Sequence, residues 1–89
     1  MYQIDFSEQA IEELLKLKKS SAATFKKFES LVQELREHPY TGTGHPHQLR
    51  HVDGLWSRRL DKKNRIRYMV KDDVVVVFVV SVMGHYDDK

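Results

Sequence analysis

Cysteine is absent from this 89-residue chain, which excludes a disulfide framework and any cysteine-based zinc site. The same absence fits a reducing cytoplasm. Long hydrophobic runs are lacking too. The longest, 74-VVVVFVV-80, falls far below the ~20 residues a membrane helix needs, so a soluble protein with no membrane association is expected. Met1 leads straight into a strand-like segment, without the basic start, apolar stretch and small-residue cleavage site of a signal peptide. Proline and glycine are scarce and unevenly placed: 39-PYTGTGHPHQLRHVDG-54 holds both prolines and three of the four glycines. The length suits one domain over 1–89, burying only about 60–65% of the surface its unfolded chain exposes.

What is present is charge, and it is uneven. Residues 1–44 carry seven acids and six bases, residues 45–71 carry eight bases against Asp53 and Asp61, and residues 72–89 return to −3. A concentrated basic segment with aromatics is the footprint of a phosphate-bearing partner. A solvated charged face gives the same pattern, and charge alone does not separate the two.

Periodicity supplies the elements. 2-YQIDF-6 alternates as a short strand, and Ser7 is placed to cap a helix with Ala10, Ile11, Leu14, Leu15 and Leu17 at helical spacing. The polar stretch 18-KKSSAA-23 interrupts that pattern. A second helix follows with Phe25, Phe28, Leu31, Val32 and Leu35 on its apolar face, and it should end by His38 because Pro39 disfavours a helical residue before it. The loop 39–54 is long enough to be functional or disordered. Then 55-LWSRRL-60 and 65-RIRYMV-70 read as strands joined at 61-DKKN-64, and 73-DVVVVFVVSV-82 as a central strand covered on both faces. The order β-α-α-β-β-β describes an α+β domain: a twisted, mainly antiparallel sheet with a helical hairpin on one face.

Hairpin geometry brings polar residues together. With the turns centred at 62–63 and near Asp72, Arg65 faces Leu60, Arg59 faces Ile66, Val80 faces Arg65, and His85 emerges beside Leu60. Arg59, Arg65, His85 and Tyr86 should then cluster at one end of the sheet. Alternation puts Ile66, Tyr68 and Val70 on the core side and Arg65, Arg67 and Met69 on the other. A row of arginines ending near a histidine and a tyrosine makes an RNA groove, in which guanidinium clamps phosphate and the tyrosine stacks on a base.

These residues resemble a known family. 54-GLWSRRLDKKNRIRYMV-70, the valine-rich strand, the near-terminal 85-HY-86 and the loop 42-GTGHPHQLRH-51 are similar to the Txe/YoeB toxins of the RelE/ParE superfamily, over almost the whole chain. The resemblance implies a fold like that of compact microbial ribonucleases. It also implies a cytoplasmic toxin that cleaves mRNA on the ribosome and is held inactive by a cognate antitoxin. It gives Arg65 the role of stabilising the transition state, Arg59 and Arg50 contacts to substrate phosphate, His85 the catalytic histidine, and Tyr86 a hold on the substrate base. Where the family has a glutamate after proline, this chain has His47. The tail also runs on past the tyrosine as Asp87, Asp88 and Lys89.

Metal-free RNA cleavage needs a base for the 2′-OH, positive charge for the phosphorane oxygens and an acid for the leaving 5′-oxygen. His47 as base and His85 as acid would make a two-histidine ribonuclease with no cofactor, leaving a 2′,3′-cyclic phosphate and a 5′-hydroxyl. Arg67 would extend the substrate groove. A metal held by His45, His47 and His51 is the weaker reading, for want of a carboxylate at fitting spacing. His45 and His51 read as surface or phosphate-contacting residues, His38 as a helix end, Trp56 as a packing anchor and Tyr68 as core. Ser57 has no convincing base to make it a nucleophile. The expected partners are an antitoxin with an acidic, partly disordered segment over the basic groove, the ribosome with its mRNA, and a second copy in a homodimer or toxin–antitoxin assembly. The reading from another class is a ParE-like or catalytically weak member that acts by binding DNA gyrase or RNA.

Overall fold

Ser7 turns the first strand into the first helix, as its position in the sequence suggests. Its hydroxyl oxygen accepts from the Ala10 amide at 3.0 Å, and the hydroxyl itself donates to the Val80 carbonyl at 2.6 Å. One side chain thus caps a helix and ties it to the distant end of the chain. The structure, a computed structural model, describes residues 1–50 and 52–84. His51 and residues 85–89, with the expectations attached to His85 and Tyr86, lie outside the described residues.

Strand β1 (Gln3–Phe6) leads through Ser7 into helix α1 (Glu8–Ser20), and helix α2 (Ala22–Glu37) follows at once. The expected break at 18–23 is therefore a single-residue corner. Ser21 ends α1 with its amide donating to Leu17 O at 2.8 Å and opens α2 with its hydroxyl oxygen accepting from Thr24 N at 3.3 Å. His38 closes α2 ahead of Pro39, its amide on Glu34 O at 2.7 Å.

Four further strands complete the sheet: β2 (His47–Gln48), β3 (Leu55–Arg59), β4 (Arg65–Lys71) and β5 (Val76–Ser81). The spatial order is β1-β5-β4-β3-β2, with β1 parallel to β5 and every other pair antiparallel. The helices pack on one face. Ala10, Leu17, Phe28, Leu31 and Leu35 meet Leu60, Ile66, Tyr68, Val77, Val79 and Val82 in a continuous core. Each fully buried leucine there contributes about 1.5–3 kcal/mol. The expected α+β architecture is present, and the long loop adds β2 as an edge strand.

Three expectations need correction. The buried positions of α1 are Ala10 and Leu17, with Glu13 and Leu14 half-buried, whereas Ile11 and Leu15 are 49% and 60% exposed. The packed stripe therefore runs 10, 13, 14, 17 and carries a carboxylate. Second, the strand registers differ. Arg59 pairs directly with Arg65 and Arg58 with Ile66. This happens because Asp61 tightens the turn, its carboxylate accepting from Lys63 N at 2.8 Å and Asn64 N at 2.7 Å. Between β4 and β5, Tyr68 pairs with Val79 and Arg67 with Ser81, across a bulge at Arg67/Tyr68. The turn before β5 takes up Val74 and Val75, with Val75 in the left-handed region at φ 55°. Tyr2 and Tyr40 both donate to the Asp72 carboxylate in that turn, which pushes the Tyr40 hydroxyl up to about 12. Third, β5 lies inside the sheet, but only Val77, Val79 and Ser81 are buried while Val76, Phe78 and Val80 are half-covered. One face is fully packed, not both.

Candidate active site

The two arginines of 58-RR-59 point to opposite faces because strand residues alternate. Arg58 points inward and is fully buried. Its Nη1 meets Glu34 Oε1 at 2.8 Å, and its Nη2 donates to the carbonyls of His38 at 2.9 Å and Thr41 at 2.8 Å. The guanidinium lies 5.9 Å from the Tyr68 ring centroid, and the Tyr68 hydroxyl donates to Pro39 O at 2.8 Å. Arg58 was counted with the phosphate-binding charges; its charge is instead spent inside the protein, holding the start of the loop that leads to β2.

Glu34 works from the other side. Its Oε1 accepts from the Thr43 amide as well as from Arg58. Burial pushes its carboxyl up, but the Thr43 hydrogen bonds and the Arg58 charge outweigh this and hold it below the ordinary value. The loop then needs its glycines. At Gly42 (φ +112°) a Cβ would sit 1.9 Å from Glu34 Oε1, and at Gly44 (φ +88°) it would sit 2.4 Å from the Arg59 carbonyl. That approach lets Gly44 O accept from Arg59 N at 2.7 Å, so the loop joins the sheet before β2 begins. His47 then pairs with Ser57.

The outcome is a pocket of about 510 Å³ lined by Thr43, Gly44, His45, His47, Arg59 and Arg65, and by Lys27 from α2. Of the residues named from sequence, it brings together His47, Arg59 and Arg65. Arg50 is exposed and lies outside the lining. Arg67 needs correction: expected on an open groove face, it is only 4% exposed, and its Nη1 donates to Ser81 Oγ at 3.3 Å and Met83 O at 3.2 Å. Ser57 on the same face is fully buried, so the face is closed at the Ser57–Arg67 pair and open at the neighbouring Arg59–Arg65 pair.

Lys27 was missed, although a signal existed. It lies seven residues before Glu34, hence on the same flank of α2, one stretch serving the loop and the other the pocket. His45 has φ 55°, and its ring centroid is 5.9 Å from that of His47. The His45 carbonyl lies 3.1 Å from His47 Nδ1. A carbonyl only accepts, so in the neutral ring Nδ1 carries the proton and Nε2 presents its lone pair. Among the described residues no group of three or more His, Cys, Asp or Glu stands ready to hold a metal ion. A larger pocket of about 560 Å³ lies between the helix corner and the β3–β4 turn. Its carboxylate is already engaged, Asp61 accepting from Thr24 Oγ1 at 3.0 Å and from Asn64 Nδ2 at 3.2 Å, whereas the smaller pocket gathers two histidines and two arginines and is the candidate.

Comparison with known proteins agrees with this geometry. Residues 6–86 match the family model described as "YoeB-like toxin of bacterial type II toxin-antitoxin system". Toxin YoeB of Escherichia coli (strain K12) is 32% identical over 73 residues, 81% of this chain and 87% of that protein. The YoeB dimer from Staphylococcus aureus superimposes with a TM-score of 0.84 at 29% identity, covering 96% of this chain and 98% of that one. The YoeB–YefM complex from the same organism gives 0.81 at 27%, covering 97% and 99%. A helical hairpin on a five-stranded sheet, a glycine-built loop and a basic pocket at the sheet's end thus come with a match over nearly the full length, and the chain belongs to the YoeB-like toxins of bacterial type II toxin–antitoxin systems.

Proposed function

We propose that this toxin is a cytoplasmic, ribosome-dependent endoribonuclease whose general base is His47. The observation that carries the reading is the shared pocket: His47, whose Nδ1 is engaged by the His45 carbonyl, lines it together with Arg59 and Arg65. In the reaction Nε2 takes the proton of the 2′-OH, and the 2′-oxygen attacks phosphorus. The guanidinium of Arg65 meets the charge that develops on the non-bridging oxygens, with Arg59 and Lys27 holding neighbouring phosphates. The P–O5′ bond breaks, His85 supplies the proton to the departing oxygen, and Tyr86 stacks on the substrate base. The products are a 2′,3′-cyclic phosphate and a 5′-hydroxyl. Arg50, outside the pocket lining, fits a contact to more distant backbone.

A basic pocket on a ribosome-directed nuclease also needs covering in its own cell. The toxin–antitoxin complexes among its relatives support a cognate antitoxin here, with an acidic segment over Lys27, Arg59 and Arg65. The Staphylococcus aureus dimer makes a homodimer the assembly to examine first.

The test is single-turnover cleavage of ribosome-bound mRNA against pH. His47→Gln should slow cleavage and flatten the rise of rate on the acid side. His47→Glu should restore cleavage with that rise displaced to lower pH, since a carboxylate stays deprotonated further into acid than an imidazole, roughly 4.3 against 6.5 for the groups in isolation. A His47→Gln protein as fast as the parent at every pH sinks the assignment.

A further inference from the structure

The end of β5 is fixed by side chains from three different elements, and the most unexpected comes from α1. Glu13 lies on the packed stripe of that helix, where the helical pattern calls for an apolar residue. Its Oε1 accepts from two successive amides, Val82 N at 2.8 Å and Met83 N at 3.1 Å. Its Oε2 accepts from Gln9 Nε2 at 3.0 Å, one turn earlier on the helix, so the carboxylate is oriented from both sides. Val82 is fully buried, and losing the acceptor would strand an amide away from water.

The two following residues are held as firmly. Arg67 donates to Met83 O at 3.2 Å, Asn64 Oδ1 accepts from Gly84 N at 3.2 Å, and Gly84 O accepts from Arg65 N at 3.2 Å. The Asn64 amide is set in turn by Asp61, which accepts from its Nδ2 at 3.2 Å. All three amides of residues 82–84 and the carbonyls of Met83 and Gly84 are therefore bound, and these residues run straight into 85-HY-86. A strand end meant only to finish a sheet needs no acid on the packed stripe of a helix. A strand end that must deliver a catalytic histidine to within a fraction of an ångström does, because misplacement by about 1 Å can cost around 100-fold in rate.

We propose that Glu13 is a positioning residue for the catalytic end of the chain, acting through the amides of Val82 and Met83 to set where His85 and Tyr86 begin. This rests on the nuclease reading of His85. Glu13 touches no substrate. Its carboxylate replaces the partner strand that these amides would otherwise pair with, and Asn64 from the β3–β4 turn and Arg67 from β4 complete the anchorage.

The test combines amide hydrogen exchange with single-turnover cleavage on ribosomes, using the full chain. In Glu13→Ala, Val82 and Met83 should exchange much faster while Val77 and Val79 keep their protection. Cleavage at saturating ribosomes should fall about 10- to 100-fold with the half-saturating ribosome concentration unchanged. Glu13→Gln, whose amide oxygen can still face both amides, should recover most of the rate. In a His85→Ala background Glu13→Ala should cost nothing further, since both act through one residue. Unchanged exchange at Val82 and Met83, or an equal loss in both backgrounds, overturns the proposal. Should Glu13→Ala fail to fold, Asn64→Ala, which removes the Gly84 acceptor together with the Nδ2 contact to Asp61, must show faster exchange at Gly84 and the same loss of cleavage, absent in the His85→Ala background. If His85→Ala cleaves like the parent, the reading of His85 falls. If His85→Ala is inactive and Glu13→Ala cleaves like the parent, only the role of Glu13 falls.

Discussion

Arg59 on β3 stands directly opposite Arg65 on β4. Like charges facing each other across neighbouring strands weaken a sheet by roughly 0.2–1 kcal/mol, so folding alone does not favour this pair. An anion bound between them reverses the sign of that interaction, and a phosphate is the anion the nuclease reading requires.

Arg65→Ala should therefore lower single-turnover cleavage on the order of 10²–10³-fold, the usual cost of removing a preorganised donor to transition-state charge. Lys62→Ala, in the exposed β3–β4 turn, should cost far less because it only steers RNA. Arg59→Ala should lose activity while its melting temperature stays level or rises slightly. Similar small losses for Arg65→Ala and Lys62→Ala would remove Arg65 from the chemistry.

The neighbouring arginine should behave in the opposite way. Arg58→Ala removes a fully buried guanidinium and takes one donor from Glu34 and from each of the His38 and Thr41 carbonyls. Breaking such a pair costs about 3–5 kcal/mol. At about 4–8 °C per kcal/mol for a domain of this size, the melting temperature should drop by more than about 10 °C. Calorimetry showing a stable Arg58→Ala protein would mean the loop is anchored by something else.

Acid should release the same anchor. Burial raises the Glu34 carboxyl, but hydrogen bonds from Thr43 and the Arg58 charge bring it below its ordinary value of 4.5. A carboxyl lowered on folding contributes stability that is present above its unfolded value and lost as pH falls through its folded value. Asp61 is held low likewise, burial being outweighed by the amides of Lys63 and Asn64. Denaturant midpoints should thus decline below about pH 4.5, and Glu34→Gln should be less stable at neutral pH with a shallower decline. A parallel decline in both proteins would assign the acid sensitivity elsewhere.

Gly44→Ala should be worse than the loss of a neighbouring side chain. The alanine Cβ would meet the Arg59 carbonyl at 2.4 Å, and its φ of +88° is itself unfavourable. Strain of at least about 1–2 kcal/mol is expected, along with displacement of β2 and a loss of cleavage. Thr43→Ala keeps the amide from which Glu34 accepts and loses only the hydroxyl contact, so it should cost much less in the same assays. Equal behaviour of the two variants would show that the close approach is not needed.

Sequence disclosed the helices, the strand order along the chain and the end of α2, because Ser7 and Pro39 act locally and leave unambiguous marks. The inward face of α1 was misread for a physical reason: its stripe holds Glu13, which satisfies buried amides instead of packing, and so hides the true periodicity. β2 was invisible because two residues carry no alternation. The 58-RR-59 doublet read as two equal charges, yet Ile66 opposite Arg58 was already assigned to the core side, and a register one residue tighter would have sent Arg58 inward. Arg59 and Arg65 were legible as neighbours from the hairpin and His47 only through the family resemblance, whereas the pinning of residues 82–84 depends on contacts some 70 positions apart and leaves no local trace.

β5 lies between β1 and β4 in space, and among the described strands it comes last along the chain. During synthesis the earlier strands and both helices leave the ribosome with a gap where it belongs. β1 has no neighbour to pair with until residue 76 and beyond are available. Folding from local parts cannot bypass this, since the decisive pairing joins the two extremes of the sequence. The pocket between Arg59 and Arg65 sits on β4, β5's other neighbour, so a half-made copy is inert. Toxicity and availability of the finished surface to a neutralising partner therefore arise together, once residues 76–81 have joined the sheet.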